Sequence, residues 1–150
     1  RSFGVKLKHS INKTLVKNKS IILIDDSLVR GTTSVKIIKM LYECGAKEVH
    51  LRIASPPIKY PDYYGVDTPS KKELLASKYD LEGMRKFINA SSLEFLSIEG
   101  LYKSMGFSKR NDAYPQFTDH CFTGDYPVKP IDANNKDIEK NKISFLSSKN

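Results

Sequence analysis

The sequence predicts an α/β fold in which a parallel sheet is flanked by helices. Two apolar runs carry this prediction, IILI at 21–24 and EVHLRIAS at 48–55, together with the helical spacing of apolar residues between them. Strand, helix and strand in that order form a βαβ unit, which is right-handed by strong precedent. With 150 residues the chain has the length of one ordinary domain with a real core.

The first strand is predicted at 21–24 because four aliphatic residues stand between polar ones. Such a run is typical of a strand buried on both faces of a parallel sheet. Apolar residues then recur at helical spacing over 35–42, and Gly45 stands where a glycine commonly ends a helix. Three hydroxyl residues are candidates for the N-cap of this helix: Thr32, Thr33 and Ser34.

A loop rich in proline and tyrosine is predicted at 56–70, after the second strand. The capping-box pattern Ser70-Lys-Lys-Glu73 predicts a helix that continues to about residue 77. A second short helix is predicted at 80–89, so two helical segments should precede the next strand.

The third strand is predicted at 93–97, in the stretch LEFLS. Ser97 can cap a last helix, whose apolar residues are Ile98, Leu101, Tyr102 and Met105. The periodicity fades after Gly106. Residues 107–150 are therefore expected to be mostly irregular.

The composition indicates a soluble domain with a net charge of +8. Lysines spread along the chain carry most of this charge, so a solvated basic face is favoured over a nucleic-acid-binding arm, although residues 1–20 form one basic cluster without an acid. The longest aliphatic run is far too short to span a bilayer. The two cysteines, Cys44 and Cys121, make no disulfide framework, so a reduced cytoplasmic compartment is expected.

Two aspartates, Asp25 and Asp26, follow the first predicted strand, at the edge where open α/β sheets bind ligands. The next loop leads into a helix start, whose free N–H groups and dipole favour phosphate. Gly31 allows the backbone to approach the anion, and the hydroxyls at 32–34 can donate to it. Since two carboxylates would repel an anion, a divalent cation or sugar hydroxyls must intervene. The pattern therefore suits a ribose-phosphate with Mg²⁺.

Other interpretations of the same residues remain open. Two acids alone are more often merely solvated, and a nucleoside triphosphatase would need a G-x-x-x-x-G-K-[ST] loop, which the sequence lacks. Arg30 could contact phosphate or pair with a neighbouring acid. The histidines show no metal spacing and the loop tyrosines are expected to pack or line a pocket: His9, His50 and His120, and Tyr60, Tyr63 and Tyr64.

The complete stretch IILIDDSLVRGTTS, 21–34, resembles the phosphoribosyl pyrophosphate (PRPP) signature of the type I phosphoribosyltransferases, which have a Rossmann-like parallel sheet. Within that family it is most similar to the amidophosphoribosyltransferases. The similarity extends from residue 1 to about 128, through GVKLKHS, LYECGAKEVHLRIASPPIKYPDYYGVDTPS, ELLAS, SLEFLSIEGLYKSMG and CFTGDYP in order.

The resemblance implies transfer of ammonia, derived from glutamine, to C1 of PRPP. The products would be 5-phosphoribosylamine and pyrophosphate, in the first step of de novo purine biosynthesis. Asp25 and Asp26 would bind Mg²⁺ and the ribose hydroxyls, and no residue of this chain is assigned a catalytic role. The remaining PRPP-binding residues would hold the 5-phosphate: Ser27, Arg30, Gly31, Thr32, Thr33 and Ser34. Feedback inhibition by purine nucleotides and a homo-oligomer are also implied.

By the same resemblance, residues 1–106 are the C-terminal part of a phosphoribosyltransferase domain and 107–150 are a tail. The family's N-terminal glutaminase domain and the first half of its transferase domain have no counterpart in this chain. We therefore expect a fragment that is poorly stable and inactive alone, because its first strand needs a neighbour on each side.

One branch of the family carries a four-cysteine iron–sulfur cluster. The cluster position in the aromatic loop is Asp62 in this chain, and Thr118 stands three residues before Cys121. Since Cys121 alone cannot hold a cluster, none is expected. Cys44 is expected to be a small buried apolar residue. Two other functions stay open: a PRPP-binding repressor, which would need a DNA-binding element such as a helix-turn-helix, and a transferase that uses another nucleophile.

Overall fold

The computed structural model describes residues 11–128. His9, the stretch 4–10 and the tail beyond residue 128 lie outside the described residues. The sheet has three parallel strands in the order β1-β2-β3, and the prediction of an α/β fold with a parallel sheet is confirmed. The strands are β1 (Ser20–Asp25), β2 (Glu48–Ile53) and β3 (Ser92–Phe95).

Within residues 11–128, one short α-helix precedes the strands, and five α-helices and one 3₁₀ turn connect or follow them. The longest helix, α2, is the crossover between β1 and β2, as the βαβ pattern predicts. The helices are α1 (Lys13–Val16), α2 (Thr32–Glu43), α3 (Leu75–Lys78), α4 (Leu81–Ile88), α5 (Ile98–Ser104) and α6 (His120–Thr123), and the 3₁₀ turn is Lys71–Glu73.

Helix boundaries correct three of the sequence predictions. The N-cap of α2 is Gly31 and not a hydroxyl residue, because the helix already begins at Thr32 and places 32–34 inside its first turn. The helix predicted through residue 77 is divided into the 3₁₀ turn and α3. Helix α5 is not the last, since α6 forms within the region expected to be irregular.

The remaining ends agree with the predicted signals. Ser97 caps α5 by accepting the Gly100 N–H at 2.9 Å, and Asp80 caps α4 by accepting the Gly83 N–H. Gly45, with φ of 91°, follows the C-cap of α2. These capping signals are reliable because each cap satisfies a backbone N–H or C=O group that would otherwise have no partner at the helix end.

The core lies where α2 and α4 cover one face of the sheet, and it includes Ile38, Leu51 and Ile88, which are fully buried. Cys44 is half-buried against this core. Strand β1 differs from its prediction, because Ile22 and Ile24 are 68% and 72% exposed. Within residues 11–128, β1 pairs with β2 alone and nothing covers its second face.

Candidate functional site

An open cleft of about 330 Å³ lies at the carboxyl end of β1. It is lined by the ten consecutive residues from Asp25 to Ser34, which form the end of β1, the connecting loop 26–31 (the β1–α2 loop) and the first turn of α2. All eight residues predicted from the sequence to bind a sugar phosphate therefore line one cleft. Leu28 and Val29 join them, and Leu28 anchors the loop because it is only 2% exposed.

The two aspartates stand at the mouth of the cleft with partly satisfied carboxylates. Oδ1 of Asp25 accepts the N–H of Asp26 at 3.0 Å, and Oδ1 of Asp26 accepts the Ser27 hydroxyl at 3.2 Å. Within residues 11–128, the second oxygen of each carboxylate accepts no hydrogen bond. Carboxylate oxygens that lie at a strand end and face solvent are ligands that suit Mg²⁺ and donors such as sugar hydroxyls.

The opposite wall of the cleft is the N-terminus of α2, which has twelve residues. Thr32 and Thr33 are exposed, whereas Ser34 is only 3% exposed. The N–H groups of a first helical turn have no partner inside the helix, and the helix dipole adds a partial positive charge there. This wall can therefore bind an anion, which would be separated from the carboxylates by the β1–α2 loop.

Gly31 determines how closely the loop can pack. Its φ is +75°, a left-handed backbone conformation that residues other than glycine rarely adopt. A Cβ atom at this position would lie 3.0 Å from Cδ2 of Leu75 and 3.2 Å from Cε1 of Phe87. Glycine is thus required both by the backbone conformation and by the packing of α3 and α4 beneath the loop.

Arg30 pairs with an acid, which was one of its two predicted roles. Its Nη2 lies 3.0 Å and its Nε 3.1 Å from Oε1 of Glu73 in the 3₁₀ turn. The hydrogen bonds from Ser70 and the neighbouring Arg30 lower the pKa of the Glu73 carboxyl. The sequence marks Glu73 as a capping-box residue, but gives no sign that it meets the β1–α2 loop.

A second polar cluster lies away from the cleft and was missed by the sequence analysis. Nε2 of His120 lies 2.6 Å from Oδ1 of Asp62, and both side chains are buried. Since an ionised carboxylate only accepts, Nε2 is the donor of this bond. Cys121 completes a set of three possible metal ligands, whose donor atoms lie within 4.8 Å of one another. Asp62 and His120 are 58 positions apart in the sequence, which explains why residue spacing gave no signal for this cluster.

The possible metal-ligand atoms of this second cluster are largely engaged in hydrogen bonds within the protein. Oδ2 of Asp62 accepts the N–H groups of Tyr64 and Val66, at 3.0 and 2.7 Å. Burial raises the pKa of Asp62, but these bonds and His120 outweigh it, so the pKa is lowered overall. Burial and the nearby carboxylate of Asp62 raise the pKa of the Cys121 thiol. The side chains at 62, 118 and 121 supply one thiol among them and do not fit a four-cysteine cluster.

Aromatic packing around His120 makes the cluster a structural link. The rings of Tyr64 and Tyr126 lie 5.0 and 4.9 Å from the imidazole, in agreement with the expectation that the loop tyrosines pack. The link joins the loop after β2 to α6. Among the described residues, Nδ1 of His120 is a buried polar atom without a hydrogen-bond partner.

His50 is structural as well, with Nδ1 2.8 Å from the Ser92 hydroxyl across β2 and β3.

A third set of charges, the Arg110 cluster, comprises Arg110, Asp112, Asp119 and Asp125. The Arg110 guanidinium lies 2.7 Å from Asp119, 2.9 Å from Asp112 and 2.6 Å from Asp125. Asp119 also accepts the hydroxyl of Tyr102 at 2.8 Å. Burial raises the pKa of Asp119, but the bonds from Arg110, Tyr102 and Thr123 outweigh burial and lower it overall. This cluster anchors the segment after α5 to the domain.

Within residues 11–128 no helix is both long and apolar enough to cross a lipid bilayer.

Comparison with known sequences identifies relatives over nearly the whole chain, although no protein-family model matches. An amidophosphoribosyltransferase of Rhizobium etli is 56% identical over 149 residues, which are 99% of this chain and 30% of the relative. An amidophosphoribosyltransferase of Bacillus subtilis is 46% identical over 129 residues, 86% of this chain and 27% of the relative. Amidophosphoribosyltransferase 2, chloroplastic, of Arabidopsis thaliana is 52% identical over 132 residues, 88% of this chain and 23% of the relative.

Comparison with solved structures finds the same kind of relatives as the sequence comparison. The glutamine PRPP amidotransferase from B. subtilis complexed with ADP and GMP has a TM-score of 0.70 and 47% identity, over 79% of this chain and 26% of that one. A structure described as the allosteric regulatory enzyme of purine biosynthesis has a TM-score of 0.66 and 44% identity, over 77% and 24% of the two chains. The fold is that of a type I phosphoribosyltransferase. The chain spans less than a third of the length of these curated relatives.

Proposed function

We propose that this chain, which belongs to the amidophosphoribosyltransferase family, forms the PRPP-binding part of an enzyme that transfers an amino group to C1 of PRPP. The transfer gives 5-phosphoribosylamine and pyrophosphate, the first step of de novo purine biosynthesis. One observation supports the proposal above the others. The ten residues from Asp25 to Ser34 line a single cleft with acids at one end and a helix N-terminus at the other.

The two ends of the cleft suit the two chemical parts of PRPP. Asp25 and Asp26 would accept hydrogen bonds from the ribose hydroxyls through the carboxylate oxygens to which no described residue donates. The first turn of α2 would bind the 5-phosphate through its free N–H groups and the hydroxyls of Thr32 and Thr33. Gly31 lets the backbone reach the phosphate, and Ser27 holds the Asp26 carboxylate in place. The sugar is thereby fixed at both ends.

Fixing the sugar at both ends orients C1 toward the incoming nitrogen. The nitrogen lone pair of ammonia forms the new bond to C1, the bond from C1 to the pyrophosphate oxygen breaks, and its electron pair leaves with pyrophosphate. The new ammonium group then loses a proton to solvent. The contribution of this chain to the rate is positioning, because the described residues hold the ends of the sugar and not its reacting atoms. When bound at Asp25 and Asp26, Mg²⁺ would neutralise charge on the leaving pyrophosphate.

The partners of the whole enzyme belong to the same proposal. Glutamine would supply the ammonia through a domain outside the matched segment. Purine nucleotides would act as feedback inhibitors, which is supported by the B. subtilis relative, whose structure holds ADP and GMP. A homo-oligomeric enzyme is part of this proposal by family resemblance.

The experiment that tests the proposed function replaces both acids in the intact enzyme, Asp25→Asn with Asp26→Asn. The expected result is a fall in kcat/KM for PRPP of at least about a hundredfold, since charge stabilisation at such sites is typically of this size. Phosphoribosylamine formation is measured with glutamine and with ammonia, so that a defect in ammonia supply is separated from a defect in PRPP use.

A matched control is Glu43→Gln, which removes an exposed acid near the far end of α2, where it pairs with Lys39. It should leave kcat/KM unchanged. The assignment of the cleft fails if the double aspartate variant keeps both its KM for PRPP and its turnover.

A further inference from the structure

The carboxylate of Glu73 joins two segments that are far apart in sequence. Its Oε1 accepts both Nε and Nη2 of Arg30, which lies in the β1–α2 loop. Its Oε2 accepts the N–H and the hydroxyl of Ser70, at 3.2 and 3.1 Å, in the capping box of the 3₁₀ turn. One carboxylate group therefore connects the loop to the turn behind it.

Two further contacts join the same segments. The N–H of Leu75 donates to the carbonyl of Val29 at 2.8 Å, so the loop backbone is bonded to the start of α3. The side chain of Leu75 also lies directly beneath Gly31, where an added Cβ would meet it at 3.0 Å. Residues 70–75 thus form a support against which the loop rests. The Glu73–Arg30 pair is the charged contact of this support.

The geometry of Arg30 favours a role in shaping the loop over direct contact with the ligand. Two of its guanidinium nitrogens are directed to Glu73, and the acid offsets its charge. The pair is half exposed, with both side chains at 50%, so it adds little to global stability. Such a pair can still restrict a loop to one shape, which removes part of the ordering cost when a ligand binds.

We propose that Glu73 is a positioning residue for PRPP, which acts through Arg30 to hold the β1–α2 loop in the shape that receives the 5-phosphate. This inference rests on the proposed function of the cleft. It assigns Arg30 to the loop's own architecture, so that the phosphate is bound by the helix N-terminus and the threonines. Glu73 lies 43 positions after Arg30 in the sequence and outside the PRPP motif.

The first experiment is Glu73→Gln in the intact enzyme. Glutamine at this position preserves the capping box with Ser70, because the box accepts either residue, so the turn should remain folded. The charged contact with Arg30 is lost. The KM for PRPP should rise about fivefold, at the upper end of what an exposed ion pair contributes. The kcat should change by less than about twofold, since the group touches no reacting atom.

A double-mutant cycle with Arg30→Gln separates positioning from direct binding. If the two residues act only through each other, each single variant and the double variant raise the KM for PRPP by the same factor. If the two effects multiply, or if Arg30→Gln raises the KM while Glu73→Gln does not, Arg30 binds the phosphate directly and the proposal is wrong.

Hydrogen exchange provides a readout that does not depend on activity. In Glu73→Gln the amides of residues 27–34 should exchange faster than in the parent enzyme. The matched control is Glu82→Gln, which removes another exposed Glu–Arg pair, with Arg85 on α4, away from the loop. It should change neither the exchange of the loop nor the KM. Unchanged loop exchange in Glu73→Gln overturns the proposal.

The two proposals fail in different ways. If Asp25→Asn with Asp26→Asn abolishes PRPP use while Glu73→Gln has no effect on KM or exchange, the positioning role alone is lost. If the aspartate variant retains full activity while Glu73→Gln accelerates loop exchange, the support of the loop stands and the assignment of PRPP to the cleft is lost.

Discussion

The β1–α2 loop and the Arg110 cluster are both built from charged and polar side chains, but they use them in opposite ways. In the loop region, Asp25 and Asp26 each keep a carboxylate oxygen without a donor from the described residues. In the cluster, Arg110 is directed to three carboxylates, and Asp119 also accepts from Tyr102 and Thr123. The aspartates of the loop region can still accept hydrogen bonds from a ligand, whereas the side chains of the Arg110 cluster use their hydrogen bonds to stabilise the fold.

Exposure follows the same division. The Arg30–Glu73 pair beside the cleft is half exposed, while Arg110 and Asp119 are 13% and 3% exposed. Water screens the first pair, so this pair restrains the loop locally but adds little to the global stability. The second pair is buried, so removing one partner leaves an uncompensated charge. Substitutions in the loop should therefore change ligand affinity, and substitutions in the cluster should change stability.

Among single substitutions in the loop, the largest effect is expected for Gly31→Ala. Alanine must adopt a φ of +75° and its Cβ must displace Leu75 and Phe87, so the loop should move out of position. Since a displacement of about 1 Å can cost about a hundredfold in rate, kcat/KM for PRPP should fall by about this factor. Steady-state kinetics of the intact enzyme measure it.

Gly106→Ala is the matched control for Gly31→Ala. Gly106 has a φ of +87°, but nothing lies within 4 Å of the position of its Cβ. It therefore adds similar backbone strain without crowding, away from the cleft. Equal losses of kcat/KM in the two variants would contradict a specific role for the packing beneath Gly31.

The largest effect in the cluster is expected for Arg110→Gln, which leaves Asp119 buried without its cation. The free energy of local opening of residues 107–125 should fall by about 3 kcal/mol, as is typical when a buried pair loses one partner. Hydrogen exchange in the intact protein measures this opening, and the KM for PRPP should not change. Lys86→Gln, which breaks an exposed pair with Glu82, should cost less than about 0.5 kcal/mol.

Acid should open the cluster in a defined direction. The pKa of Asp119 lies below its ordinary value of 3.8, because hydrogen bonds to the carboxylate outweigh the effect of burial. A lowered folded-state pKa contributes stability that is present above the unfolded value and is lost as pH falls through the folded one. Exchange of residues 107–125, corrected for its intrinsic pH dependence, should stay constant from neutral pH to about pH 5 and rise below the ordinary value. A rise that begins near neutral pH would argue against this carboxylate as the cause.

The smallest effect in the cluster is expected for Tyr102→Phe. The ring is fully buried and stays in place, while Asp119 loses one of several donors. Local opening of residues 107–125 should become easier by about 1 kcal/mol, the usual contribution of one hydrogen bond. A loss as large as that of Arg110→Gln would mean that the hydroxyl, and not the guanidinium, holds the segment.

The sequence predicted which residues lie together in the cleft, because they are neighbours in the chain. Ten neighbouring residues carry the acids, the glycine and the hydroxyls, and the strand and helix signals on either side fix their direction. Only the details failed, as with the N-cap of α2, where Gly31 replaces the expected hydroxyl residue. A helix start is defined by backbone angles, and residue type alone could not reveal that α2 already begins at Thr32, before any of the three N-cap candidates could cap it.

The Asp62–His120 contact and the identity of the acid that pairs with Arg30 were not predicted, because in each case the two residues are distant in sequence. Asp62 and His120 lie 58 residues apart, and Glu73 meets Arg30 across 43. Hydrophobic periodicity gives the order of strands and helices but not which polar side chains face each other between them. The exposure of β1 has a similar cause, because burial of an edge strand depends on which segments cover it, and these are not specified by the strand itself.

Gly31 also limits how this gene can change. Any single-base change in a glycine codon that specifies another amino acid introduces a side chain. At position 31 that side chain meets both a left-handed backbone and the residues beneath the loop. The neighbouring Thr32 and Thr33 are exposed and have closely similar alternatives within reach. Neutral substitutions in this loop should therefore accumulate at the positions around Gly31 and not at Gly31 itself. A scan of all single-codon variants should find no tolerated substitution at position 31.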